Sequence, residues 1–255
     1  VDGLQQLIAA AEKTGGLKRW VQISSLGVYP PRHHYGTDET AAISRSNRRG
    51  YPQSKIEAEA VLQACIRRDG FPAVILRPGF TYGPGDRHIL PRIIDRIRCE
   101  KMRMVGDGLR VLHNTYAGNL ADACLLALQA DGVLGETFHI RDPRLVTRRE
   151  FIGAVAHFLD QPLPASVSVW RARLMAWILE TSSRVRRTTD PPRITQAGIR
   201  FLTLNLDFSI DKARERLGYA PRVDFQEGIR RALDWAASKE RSAMAADAAA
   251  GRVSG

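Results

Sequence analysis

The 255-residue chain has no Cys-x-x-Cys pair, and aromatic residues make up only 7% of it. No apolar run approaches the roughly 18 residues that a membrane span requires. Three cysteines, Cys65, Cys99 and Cys124, are an odd number without metal-ligand spacing. That excludes a disulfide framework and a zinc ribbon and points to a reducing compartment. His33 and His34 are adjacent in a polar stretch and His113 has no carboxylate or cysteine near it in sequence, so no metal site is expected. The opening VDGLQQLIAAAEK lacks the basic start and small-residue cleavage site of a secretory signal. The chain therefore reads as cytoplasmic. No basic stripe carries interleaved aromatics, which argues against a base-stacking surface and against nucleic acid as partner.

What is present is ordinary globular material. The chain is 44% apolar and 25% charged, enough to bury a core, and its length suits one large domain or one domain with a small lobe. The formal charge of +11 favours an anionic partner, a dinucleotide or an anionic lipid surface among them.

Periodicity predicts a helix over residues 4–14, closed by Gly15-Gly16, then a buried strand at Trp20–Ser24. Residues 30–50 turn polar and read as a long surface loop. A helix at 51–68 and a strand at 72–77 follow. Smaller elements are expected at 90–99, 112–116, 119–130, 137–140 and 148–159. Later helices are expected over 169–187, 209–217 and 225–239. Strands alternating with helices predict an α/β doubly wound parallel sheet. The expected division is 1–165 for a nucleotide-binding part with interleaved lobe segments, 166–240 mainly for a smaller substrate lobe, and 241–255 for a disordered tail.

Three local patterns carry chemistry. In Tyr51-Pro52-Gln53-Ser54-Lys55 a phenol and an ammonium four residues apart share a helix face. A phenol of pKa near 10 is a poor base at neutral pH, and a neighbouring cation favours the phenolate. Ser24-Ser25 ends the first strand, and open parallel sheets bind ligands beyond the carboxyl ends of their strands. Arg77-Pro78-Gly79-Phe80-Thr81-Tyr82-Gly83-Pro84-Gly85-Asp86 follows the next strand as a fixed loop. Each pattern alone also suits a structural role: a surface pair, a turn start, a tight turn.

In this order the motifs SSLGVYP, YPQSK and RPGFTYGPGD resemble the extended short-chain dehydrogenase/reductase superfamily, the group of NAD-dependent epimerases and dehydratases. The resemblance is close from Val1 to about Ala130 and looser to Trp235. It implies a Rossmann-type domain with NAD or NADP as cofactor. Tyr51 would be the general acid/base, Lys55 would hold the nicotinamide ribose and tune Tyr51, and Ser25 would hydrogen-bond the reacting oxygen. Pro78, Gly79, Phe80 and Thr81 would line the nicotinamide, mostly through backbone groups. The family's glycine-rich turn between a first strand and helix has no counterpart here. Val1-Asp2-Gly3 resembles the family's middle, so the segment reads as N-terminally truncated, lacking roughly the first third and the residue that selects NAD or NADP.

Sugar-nucleotide members usually carry an arginine where this chain has Leu112, with Arg110 nearby, and more often Asp where it has Asn119. HNTYAGNLADACLLAL looks closer to the 3β-hydroxysteroid dehydrogenase and sterol-decarboxylating branch. The expectation is an oxidoreductase acting on a secondary alcohol or ketone of an apolar, sterol-like or isoprenoid small molecule. The alternatives are a nucleotide-sugar epimerase or dehydratase, and a catalytically silent scaffold of the same fold. Residues 170–179, whose apolar run 174–179 is surrounded by Arg171, Arg173, Arg184, Arg186 and Arg187, suit a core helix, a cap over an apolar pocket, or peripheral membrane contact. The resemblance also implies a homodimer packed through helices 3–14 and 51–69, to which Leu4, Leu7, Val61 and Leu62 would contribute.

Overall fold

A computed structural model of the chain describes residues 1–44, 50–185 and 194–251. The chain begins with α1 (Asp2–Thr14), β1 (Trp20–Ile23), a 3-10 turn (Leu26–Val28), β2 (His34–Thr37) and α2 (Tyr51–Asp69). Then come β3 (Ala73–Pro78), β4 (Phe80–Tyr82), α3 (Leu90–Arg98), β5 (Met104–Val105), β6 (Val111–Leu112), β7 (Asn114–Tyr116) and α4 (Ala117–Gln129). The remainder is β8 (Thr137–Ile140), β9 (Val146–Thr147), α5 (Arg148–Phe158), β10 (Ser166–Val167), α6 (Val169–Val185), α7 (Gln196–Thr203), β11 (Leu206–Phe208), α8 (Asp211–Leu217) and α9 (Phe225–Gly251).

Local chemistry explains the best-defined of these. Helix α2 admits Pro52 in its first turn, where a missing N–H costs nothing. It ends at Gly70, whose φ of 64° closes the last turn onto the Ile66 carbonyl, with Arg67 and Arg68 complementing the helix dipole. The chain divides into two compact units. The first comprises residues 1–81, 112–145 and 205–222; the second comprises 82–111, 146–204 and 223–255. Residues 205–222 thus group with the N-terminal segments, although the sequence places them in the stretch 166–240.

The first unit is α/β, as expected. Its parallel sheet runs in the order β1-β3-β8, with Ile23 in register with Leu76 and Leu76 with Phe138. Side chains alternate across β3. Ala73 and Ile75 meet Ile8, Leu62 and Cys65 of α1 and α2 on one face. Val74 and Leu76 meet Ala123 and Ala127 of α4 and Ala213 and Leu217 of α8 on the other. All six residues of β3 are buried, as a strand covered on both faces requires, whereas β1 at the sheet edge is half-exposed throughout. Leu62 is fully buried in this core, so it is not available to a dimer contact.

The polar stretch 30–50 is not wholly a surface loop. Its residues His34–Thr37 form β2, paired with β11, because His34 stacks on Phe208 at 4.3 Å and its two ring nitrogens bond the Pro30 carbonyl and Thr37. Histidine satisfied at both nitrogens can occupy a core position that a polarity count assigns to solvent.

In the second unit, Tyr82, Phe151 and Phe225 form an aromatic cluster with centroids 5.6 to 5.9 Å apart. Arg148, nearly buried, donates to the carbonyls of Phe201 and Leu204 at the end of α7, and burial lowers its pKa to about 10. Helix α9 runs through Gly251; alanine is the strongest helix former and SAMAADAAA is rich in it. Arg186 and Arg187, and residues 252–255, lie outside the described residues. Among the described residues no helix is long and apolar enough to cross a membrane and no cluster of metal-ligating side chains occurs.

Candidate active site

The carboxyl ends of β1 and β3 lie side by side, since the Ser24 N–H donates to the Leu76 carbonyl at 2.8 Å. Beyond β1, Ser25 caps the 3-10 turn and its Oγ accepts from the Gly27 N–H at 3.0 Å. That bond uses a lone pair and leaves the Ser25 O–H able to donate. Lys55 is half-buried, and its Nζ donates to the Ile23 carbonyl at 2.9 Å, tying the first turns of α2 to the end of β1. The same Nζ lies over the Tyr51 ring, 5.7 Å from its centroid, as the four-residue spacing predicts. Tyr51 itself is 60% exposed at the start of α2.

Pro78 closes β3 and is buried, and Gly79 with Phe80 and Thr81, which form the start of β4 where a loop was expected, are half-buried. The Gly79 N–H donates to Thr115 Oγ1 at 3.2 Å and the Phe80 N–H to the His113 carbonyl at 2.7 Å. These two donors are therefore engaged inward, and a ligand over the loop would meet carbonyls and side chains. Glycine is required at 79 by space rather than by backbone angle: a Cβ there would stand 2.0 Å from the His113 carbonyl oxygen.

Beneath the site is a buried polar chain that motif reading missed. Arg77 bonds both oxygens of Glu59, at 2.9 and 2.5 Å, and Ser24 Oγ donates to the same carboxylate. Burial opposes the charge on Arg77, but the Glu59 contacts outweigh it and its pKa is raised. The third arm of Arg77 donates to the Tyr29 hydroxyl at 2.6 Å, and that hydroxyl meets His139 Nε2 at 2.7 Å. His139 Nδ1 faces the Ser209 carbonyl at 3.1 Å. A carbonyl can only accept, so Nδ1 carries the proton and Tyr29 donates to Nε2. Burial pushes the Tyr29 phenol up to about 12 and pulls the His139 imidazole down to about 3, so both are neutral. Ser24 and Tyr29 flank the turn that presents Ser25, which is thereby held at both ends. The available sequence signals were Glu59, one helical turn beyond Lys55, and an arginine closing an otherwise apolar strand.

Position 119 is likewise structural. Asn119 is fully buried and its amide donates to Asp142 Oδ1 at 2.8 Å, while Asn114 donates to Oδ2 and the Tyr116 N–H to Oδ1. An aspartate at 119 would set a second carboxylate against Asp142. Leu112 is buried as well, whereas Arg110 is exposed.

Residues 1–140, more than half of the chain, match the NAD dependent epimerase/dehydratase family. The chain is 30% identical over 251 residues to 3beta-hydroxysteroid-dehydrogenase/decarboxylase isoform 2 of Arabidopsis thaliana, covering 92% of this chain and 44% of that protein. It is 30% identical over 253 residues to the decarboxylating sterol-4-alpha-carboxylate 3-dehydrogenase of Saccharomyces cerevisiae, covering 92% and 70%. The crystal structure of gox2253 superposes with a TM-score of 0.76 at 26% identity, over 94% of this chain and 72% of that one. The chain spans about half the length of the two Arabidopsis relatives, 44% and 56%. With the family match running through the ends of β1 and β3 and the first turns of α2, the chain belongs to the NAD dependent epimerase/dehydratase family.

Proposed function

We propose that the chain serves an NAD- or NADP-dependent oxidoreductase acting on a secondary alcohol or ketone of an apolar, sterol-like or isoprenoid, substrate. The observation that carries this reading is the 2.9 Å bond from Lys55 to the Ile23 carbonyl, which gathers Tyr51, Lys55 and the Ser25 turn at one sheet end. In the oxidising direction Tyr51 accepts the proton of the alcohol and Ser25 donates its O–H to the reacting oxygen. A nicotinamide, with Lys55 at its ribose and Pro78, Gly79, Phe80 and Thr81 along its ring, would supply or accept the hydride.

The apolar substrate class is supported by the buried Leu112, where an arginine clamp for a diphosphate would otherwise stand, and by the names of the relatives. Homodimerisation through α1 and α2 belongs to the same reading, supported by Leu7, which is 61% exposed.

The test is to supply a 3β-hydroxysterol with NAD or NADP and follow reduced cofactor. Net reduced cofactor is expected, with Tyr51→Phe slowing turnover about a hundredfold or more. Conversion of a nucleotide sugar without net reduced cofactor would replace this reading by an epimerase or dehydratase. Undiminished turnover in the Tyr51→Phe protein would remove Tyr51 from its role.

A further inference from the structure

Helix α6 is built inside out. The face it turns to α7 carries small residues, Ala172 at 6% exposure and Ala176 at 0%, packed with Ile199. Its large apolar residues Trp170, Leu174, Trp177 and Ile178, at the i, i+4, i+7, i+8 spacing of a single stripe, are 49 to 63% exposed. Phe201 and Leu202 of α7 are exposed at 50% and 42%. Scattered surface leucines are normal, but two tryptophans with six further large apolar side chains exposed on one helix pair, counting Met175 and Leu179, are a concentration of the kind that marks an interaction surface.

The charges around this stripe have one sign. Arg171 and Arg173 are exposed on its two flanks, and the Arg171 guanidinium lies 5.3 Å from the Trp170 ring centroid. No acidic residue occurs between Val169 and Leu179 or within α7. Glu180, the nearest carboxylate in α6, accepts the Gln196 N–H at the start of α7. A second copy seated on this face by two-fold symmetry would set arginines against arginines with no acid to offset them. An anionic lipid surface offers complementary charge, an apolar layer for leucine and isoleucine, and the boundary at which tryptophan is favoured. Helix α6, about 25 Å long at 1.5 Å per residue, is not long and apolar enough to cross a bilayer, so contact with one would be along its surface.

We propose that the outward face of α6, extended by Phe201 and Leu202, docks the protein on anionic membrane surfaces. This rests on exposure and charge alone and is independent of the roles given to Tyr51 and Lys55. The test is co-sedimentation of the purified chain with phosphatidylcholine vesicles and with vesicles containing phosphatidylglycerol. Binding is expected to the anionic vesicles and to weaken with added salt. Trp170→Ser with Trp177→Ser is expected to reduce it about tenfold or more, and Arg171→Gln with Arg173→Gln to abolish the anionic preference. All four side chains are exposed, and unchanged thermal unfolding of both double variants shows that the fold is kept. Failure to sediment with anionic vesicles, or equal binding to both lipid types, overturns the proposal. So does a concentration-dependent dimer that the tryptophan variants convert to monomer, which assigns the face to a second copy.

Discussion

Arg77 and Glu59 form a buried ion pair beneath the candidate site. Both are almost fully buried, and removing one charge leaves the other uncompensated in a low-dielectric interior. Arg77→Met is expected to destabilise by about 3 to 5 kcal/mol in urea unfolding, and the double variant with Glu59→Gln by less than the sum of the single effects. Additivity would show that the pair does not act as a unit. His139 sets an acid limit. Its folded pKa of about 3 lies below the ordinary 6.5, so the unfolded chain binds the extra proton between those values and stability falls as pH drops below about 6.5. By pH 5 this costs about 2 kcal/mol, at 1.36 kcal/mol per pH unit. His139→Asn should reduce that slope without removing it, because burial also lowers the pKa of His113 and His34; an unchanged slope between pH 7 and 5 would assign the acid sensitivity to those other groups.

At the scale of elements, the loop after β3 depends on one missing methyl group. Gly79→Ala pushes a Cβ into the His113 carbonyl, and either the Gly79 backbone or the His113 backbone between β6 and β7 must yield. A loss of about 1 to 3 kcal/mol is expected, with a larger fall in turnover than in thermal stability because Phe80 and Thr81 move with it. Turnover and melting temperature unaffected by this change would mean that the loop adjusts freely. The YPQSK helix was legible in the sequence because Tyr51 and Lys55 obey helical spacing and Gly70 stops the helix. Strand β2 was not legible, since its hydrogen-bond partner β11 lies about 170 residues away and a four-residue strand has no periodicity to read. Helix α6 was legible as a helix and ambiguous as to face: alanines inside and tryptophans outside invert the usual pattern, and only the packing of Ala172 and Ala176 against α7 shows which side is covered.

At the largest scale, the sheet of the first unit and its two helical layers form a scaffold whose carboxyl end carries the candidate site. The glycine turn that leads from β4 to α3, Gly83-Pro84-Gly85, is followed by Asp86, whose carboxylate accepts the N–H groups of His88, Ile89 and Leu90, so those donors are not available to the pyrophosphate of a dinucleotide. Titration of the 255-residue chain with NADH, followed by fluorescence, is expected to show binding weaker than micromolar. Micromolar affinity would mean that residues other than such a turn anchor the phosphates, with the net charge of +11 the first candidate to probe by added salt.

The amino-acid sequence by itself determined the class of fold, the order of the main helices and strands, and the helix face that Tyr51 shares with Lys55. Those features are local: alternation, helical spacing, caps and turn residues act within a few positions of one another. Tertiary structure alone decided that Glu59, Arg77, Tyr29 and His139 join beneath the Ser25 turn, that Asn119 serves Asp142, and that the large apolar side of α6 faces outward. Each of these is a contact between residues distant in the chain, and burial, which governs both charge state and exposure, exists only once the layers have packed.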